Sequence, residues 1–165
     1  MTRRELLLLA ATPEVEFPPA LDAAGTRLVL NGTARRTWSI LRIEVYRAAL
    51  YLPAPSNDAA VILGTSAPRL VEARYRRDVP LDSVVAAWEA TAGAPLPAAF
   101  RAWLRPIAAG DVERQFFRGD GVVLSGPGRP EAFQPGMAFA RRLLATWIGM
   151  EADPDVRRGL LGGGA

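Results

Sequence analysis

The sequence predicts an α+β domain, an antiparallel sheet with helices on one side. Two observations carry this expectation. Residues of alternating polarity dominate the first half of the chain, and apolar residues three to four apart dominate the second, so strands precede helices. No internal repeat, low-complexity linker or shift in composition marks a second domain, and 165 residues, half of them apolar, fit one buried core. A single domain is expected over residues 14–165.

Taken in order, Glu14–Phe17 reads as a short strand closed by Pro18-Pro19. Arg27–Leu30 is a strand, and Asn31-Gly32 supplies a turn signal between two apolar runs. From Thr37 to Leu52 one parity carries Leu41, Ile43 and Val45 and the other Arg42, Glu44 and Tyr46, the pattern of a strand with one dry face. Pro53 and Pro55 end it. Asp58–Leu63 suits a short helix stopped by Gly64, and Arg69–Arg76 returns to strand alternation. Leu81–Ala92 is a helix with Asp82 in its first turn, Val84, Val85, Trp88 and Ala92 along one stripe, and Gly93 as its stop. A short helix over Pro97–Leu104 and a strand over Val122–Leu124 follow. Met137–Ile148 carries the clearest helical stripe, Phe139, Leu143, Leu144 and Trp147, and Val156–Leu161 adds a last short helix. Trp88 and Trp147 are expected in the core.

Residues 1–13 have the order of a secretion signal: basic residues, an apolar run, then small residues. Thr2-Arg3-Arg4 resembles a twin-arginine start. The run Leu6–Ala11 falls short of the usual ~7–15 residues, so a remnant of a signal is expected, and with it a periplasmic or secreted protein. The alternative is a cytoplasmic protein with a frayed tail or a short surface helix there. No stretch approaches the ~18 apolar residues of a membrane-spanning helix.

Composition excludes much chemistry. The chain has no histidine and no cysteine, and every basic side chain is arginine. Without those groups there is no Ser-His-Asp or Cys-His triad, no lysine Schiff base and no ordinary zinc site. An acid or base must be Asp, Glu or Tyr, and an electrophilic helper must be Arg or a backbone N–H. Twenty arginines against seventeen carboxylates leave a net charge of +3, too small an excess to argue for nucleic acid. Glu151-x-Asp153-x-Asp155 lacks the glycine and the bidentate glutamate of a calcium loop, and Asp153 as an N-cap before Pro154 explains it better. The segment 125–130, SGPGRP, reads as a turn, and 74–77, RYRR, as a solvated strand end paired to carboxylates. No metal or cofactor is expected.

Five segments stand in a telling order: LVLNGTARR, VYRAALYLP, RLVEARYRRDVPLDSVVAAW, GDGVVLS and FARRLLATWIGMEADPDVRRGLLG. Through them the chain resembles the bacterial branch of the chalcone isomerase-like proteins over roughly residues 25–162. The last segment, with its Trp-x-Gly and closing Leu-Leu-Gly, is the most specific. The resemblance implies an open-faced β-sandwich, a large antiparallel sheet under a layer of helices with a pocket between. The family holds plant enzymes that close chalcones to flavanones and relatives that bind fatty acids. In the enzymes an arginine after a Gly-x-x-x motif stabilises the attacking phenolate, and Arg36 matches it by spacing from Asn31-Gly32. The fatty-acid binders pair that arginine with the tyrosine of a Val-Tyr motif, here Val45-Tyr46. Ala34 stands where the family often has glycine, and the segment after Leu124 is short. The positions matching the enzymes' polar pocket, Leu41, Leu81 and Trp88, are apolar.

These readings combine into one expectation and two alternatives. The main one is a non-catalytic protein that binds a small amphipathic carboxylate, fatty-acid-like, in an apolar pocket. Arg36 is the charge anchor and Tyr46 the hydroxyl donor, with Trp38, Leu41, Leu81 and Trp88 as pocket-lining candidates. The first alternative is an isomerase of the intramolecular lyase type, with Arg36 stabilising charge on an ionised phenol. The second is a structural domain in which Arg36 pairs with Glu44. Ten residues of straight strand span roughly 33 Å, so Arg36 and Tyr46 can meet only across a sharp bend, expected at Thr37–Ser39. Oligomeric state leaves no mark in the sequence.

Overall fold

The two longest strands come from the runs on either side of Ser39. In a computed structural model, which describes residues 16–163, these are β2 (Thr26–Trp38) and β3 (Ile43–Leu52). With β1 (Ala20–Ala23), β4 (Arg69–Tyr75), β5 (Val112–Arg118), β6 (Gly121–Ser125) and β7 (Ala132–Pro135) they form one antiparallel sheet whose spatial order follows the chain. The helices are α1 (Ala59–Gly64), α2 (Leu81–Ala92), α3 (Ala98–Trp103), α4 (Met137–Ile148) and α5 (Pro154–Leu160). The signal remnant expected at residues 1–13 lies outside the described residues. Among the described residues no helix is long and apolar enough to cross a membrane.

The helical stripes do what their spacing predicts. α4 buries Phe139, Leu143, Leu144, Trp147 and Ile148 against the sheet. The main core lies between that helix layer and one sheet face, with Ala48, Leu50 and Leu52 of β3, Val71 of β4 and Phe117 of β5. A smaller cluster on the other face packs Phe17 on Leu28, Ala49, Tyr51 and Leu70, and the Tyr51 hydroxyl donates to the Pro18 carbonyl at 2.9 Å. Residues 48–52 are thus buried on both faces, which is why their alternation fades into a continuous apolar run.

The chain departs from the predicted elements in several places. Thr37–Leu52 is not one strand: it is the end of β2, a turn over residues 39–42, and β3. Asn31-Gly32 is not a turn. β2 runs straight through it with Asn31 as the extra residue of a bulge, and its side chain bonds Ser56 N, Ser56 O and Leu160 O at 2.8–2.9 Å. Glycine is needed next to it because a Cβ on Gly32 would stand 2.1 Å from the carbonyl oxygen of Gly159 in α5. Of the strand expected over Glu14–Phe17, residues 14 and 15 lie outside the described residues, Glu16 and Phe17 form no strand, and the first strand described is β1. β5 and β7 escape a periodicity reading. The inward parity of β5 alternates Glu113 and Gln115 with Phe117, so its dry face is written partly in polar residues, and β7 is only four residues at the sheet edge.

Asp153 is the N-cap of α5, with Pro154 after it, as the sequence predicts. Its Oδ1 accepts from the backbone N–H groups of Asp155 and Val156, both at 3.1 Å. Arg74 and Arg76 at the end of β4 pair with Glu72 and Glu16, so the RYRR stretch is a strand end neutralised by carboxylates.

Candidate functional site

The distance between Arg36 and Tyr46 is closed by reversal of the chain. Ser39 and Arg42 adopt left-handed backbone angles, φ 67° and 51°, and the Arg42 N–H donates to the Ser39 carbonyl at 3.1 Å. The resulting hairpin sets Arg36 directly opposite Tyr46. Cross-strand partners have their Cβ atoms only about 4.5–5.5 Å apart and project from the same face. The bend expected within one strand is therefore a turn between two.

Arg36 does not pair with Glu44. The register steps from Arg36 opposite Tyr46 to Thr37 opposite Glu44, so Val45 is the extra residue of a second bulge. Glu44 bonds Arg47 instead, and Arg76 approaches it at 3.6 Å. The partner of Arg36 is Asp153, whose Oδ2 accepts from Nη1 while Oδ1 caps α5. One carboxylate thus fixes a helix start and the arginine together. Both side chains keep access to water, at 42% and 28% exposure, which limits what the pair adds to stability to about 0–1 kcal/mol. Among the described residues no other donor of Arg36 has a protein acceptor.

Tyr46 faces inward. Its ring meets Tyr75 and Trp147 edge to face, each at 5.6 Å between centroids. Burial holds the phenol protonated, well above its ordinary pKa. The Arg36 charge opposes that shift and the Asp153 charge adds to it.

Behind Tyr75 and Trp147 is a cavity between the sheet and helices α2 to α4, closed by Trp88, Phe100 and Trp103. Its free volume is about 10 Å³, room for about one water. On the sheet side β4 lines it with Val71, Ala73 and Tyr75, and β5 adds the polar Glu113 and Gln115. Gln115 accepts from Trp147 Nε1 at 2.9 Å, and Glu113 accepts from Arg129 Nη2 at 2.7 Å. Arg129 lies 3.6 Å from the centre of the Trp103 ring and donates to the Trp103 carbonyl at 2.8 Å. Burial raises the pKa of Glu113, and the Arg129 charge and hydrogen bond oppose the rise. Among the described residues Trp103 Nε1 has no partner.

Of the four pocket-lining candidates, Trp88 alone lines this cavity, half-buried and edge-on to Phe100 and Trp147 at 5.9 and 6.0 Å. Trp147 is fully in the core as expected, whereas Trp88 is packed on the core's edge. Leu81, half-buried at the start of α2, also packs on the edge of the core. Trp38 and Leu41 lie outside altogether, on the hairpin tip at 69% and 77% exposure, because the turn carries them past the end of the sheet. Two guanidinium groups are buried instead: Arg69, which donates to the carbonyls of Ala67 and Ile62, and Arg129, hidden in a segment legible only as a turn. The signal that could have found Arg129 is Glu113, a carboxylate on the inward parity of β5 that needs a cation. A separate open groove of about 420 Å³ runs along Met150, Ala152, Pro154, Arg157 and Leu161. Among the described residues no cluster of three or more carboxylates is placed to hold a metal ion.

The model of the chalcone isomerase-like family matches residues 10–162. The chain belongs to the chalcone isomerase-like family, and its antiparallel sheet under a helix layer is that family's fold. No curated protein matches it by sequence. Among solved structures it is similar to a fatty-acid binding protein of Arabidopsis thaliana, AtFAP1, with a TM-score of 0.66 and 16% identity over 88% of this chain and 90% of that one. Likeness at that identity concerns the fold.

Proposed function

We propose that the protein binds a small amphipathic carboxylate, with Arg36 gripping the head group and Tyr46 donating its hydroxyl. The observation that carries this reading is the placement of Arg36 across from a half-buried, protonated Tyr46, whose ring packs on Tyr75 and Trp147 of the aromatic cavity wall. Asp153 holds the guanidinium through one nitrogen and leaves its other donors to a ligand. That AtFAP1 is a fatty-acid binding protein supports the same class of ligand. A free volume of one water cannot take an alkyl chain, so binding requires the rings of Trp88, Tyr75 and Trp147 to part. The apolar tail then replaces ring-to-ring contacts, and the affinity is lowered by the work of opening.

Calorimetric titration with laurate and methyl laurate tests the anchor. A charge-assisted hydrogen bond contributes about 1.5–3 kcal/mol, so the acid should bind roughly tenfold or more tighter than the ester. Arg36→Met should erase that gap while costing the fold no more than about 1 kcal/mol, because Asp153 stays in contact with water. Tyr46→Phe should erase part of it. Equal binding of acid and ester by the parent sinks the reading. Cyclisation of a chalcone above the spontaneous rate, lost in Arg36→Met, would replace it with the isomerase.

A further inference from the structure

The hairpin that joins Arg36 to Tyr46 ends in Trp38-Ser39-Ile40-Leu41-Arg42, and its apolar side chains stand in water. Ile40 is 98% exposed. Together with Trp38 and Leu41 it places three large apolar residues within four positions. The other exposed large apolar residues of the described chain, such as Val61, Phe133 and Met150, are not adjacent in sequence. Single exposed residues are ordinary; a cluster on a turn is not.

The tip also projects. β1 pairs with β2 only as far as Val29, and the pairing of β4 with β3 ends at Tyr46. Residues 37–44 therefore extend beyond their neighbours as a ribbon of two strands. From Arg35 to Ile43 the charge has one sign. Arg35 and Arg42 are exposed with no carboxylate partner among the described residues, and no acidic residue occurs between Ala34 and Ile43. The nearest acid, Glu44, is taken by Arg47.

The geometry points to a tip that inserts into the surface of an anionic lipid bilayer. Trp38, Ile40 and Leu41 enter the boundary of the acyl region, and Arg35 and Arg42 meet lipid phosphates. A narrow convex tip offers little of the roughly 800 Å² per partner that a stable protein interface buries. A bilayer needs no complementary cavity and yields to a convex insertion. The cluster lies just beyond Arg36, so docking brings the candidate ligand site to the membrane. It does not depend on that site binding anything.

Co-sedimentation of the whole protein with vesicles of phosphatidylcholine, alone or mixed with phosphatidylglycerol, tests this. Binding to the anionic vesicles should be at least about tenfold tighter than to the neutral ones, and should weaken as salt is raised. The double variant Ile40→Ser, Leu41→Ser should lose at least about tenfold in vesicle binding with an unchanged melt and unchanged laurate affinity. Arg35→Gln with Arg42→Gln should remove the preference for anionic lipid. Absence of binding to anionic vesicles overturns the inference, and so does binding that the serine variant retains. If the lipid-free parent sediments as a dimer and the serine variant as a monomer, the tip is a contact between copies and the lipid proposal falls. Laurate titration reports separately on Arg36, so failure at the tip is distinguishable from failure at the site.

Discussion

Trp147→Ala should destabilise the protein by about 3–5 kcal/mol, the range for a large aromatic removed from a core. Trp147 is 4% exposed and sits at the end of the α4 stripe. Its ring is shared between Tyr46 and Trp88, and its Nε1 is a hydrogen-bond partner of Gln115, itself buried at 7% exposure. Truncation enlarges a cavity that already adjoins the ring and leaves the Gln115 oxygen without its donor. In a domain of this size each kcal/mol lowers the melting temperature by about 2–4 °C, so a fall of roughly 6–20 °C should be seen. Trp147→Phe retains most of the ring and should lose about 1–3 kcal/mol, the cost of the stranded amide. A melt of Trp147→Ala within a degree or two of the parent would mean that the stripe has been misread.

Gly159→Ala should cost about 3 kcal/mol, against the usual sign. Within a helix, alanine is normally favoured over glycine by about 0.8–1 kcal/mol. Here a Cβ would stand 2.4 Å from the carbonyl oxygen of Thr33 in β2, so the strand or α5 must move. The partner change Gly32→Ala meets the Gly159 carbonyl at 2.1 Å and should behave alike. Gly64, the last residue of α1, has nothing within 4 Å of its missing Cβ. Gly64→Ala should therefore be neutral or stabilising by up to about 1 kcal/mol. Chemical denaturation of the three variants checks the contrast, and equal behaviour at positions 64 and 159 would refute the close approach. The effect should also reach the candidate site. The same contact seats α5 on β2, and the cap of α5 is Asp153, the residue that holds Arg36.

How legible the site was can be argued residue by residue. Tyr46 and Arg36 were recognisable only through a family pattern, and neither alternation nor spacing distinguishes them from the other polar residues of β2 and β3. Trp88 was named for the pocket through the same family pattern, and its place on the helical stripe of α2 turns it toward the cavity. Trp38 and Leu41 were misplaced because Ser39-Ile40-Leu41-Arg42 carries none of the glycine, asparagine or proline that marks a turn. Asn31-Gly32 carries such a mark and makes no turn, since the glycine is needed for contact with α5.

By itself the sequence determined the α+β class, the limits of α2 and α4, and the cap at Asp153. It also excluded every reaction that needs histidine, lysine or cysteine. All of these are local: helix stripes repeat within a few residues, an N-cap bonds two or three positions ahead, and composition needs no geometry. The tertiary structure decided the hairpin, both bulges, the ion pair of Arg36 with Asp153 and the burial of Arg129 beside Glu113. Arg36 and Asp153 are 117 residues apart, and a charge attracts whichever opposite charge the fold brings near. Such a pairing leaves no periodic trace along the chain. It arises only when α5 is seated on β2, and with it the arginine gains its fixed place beside Tyr46.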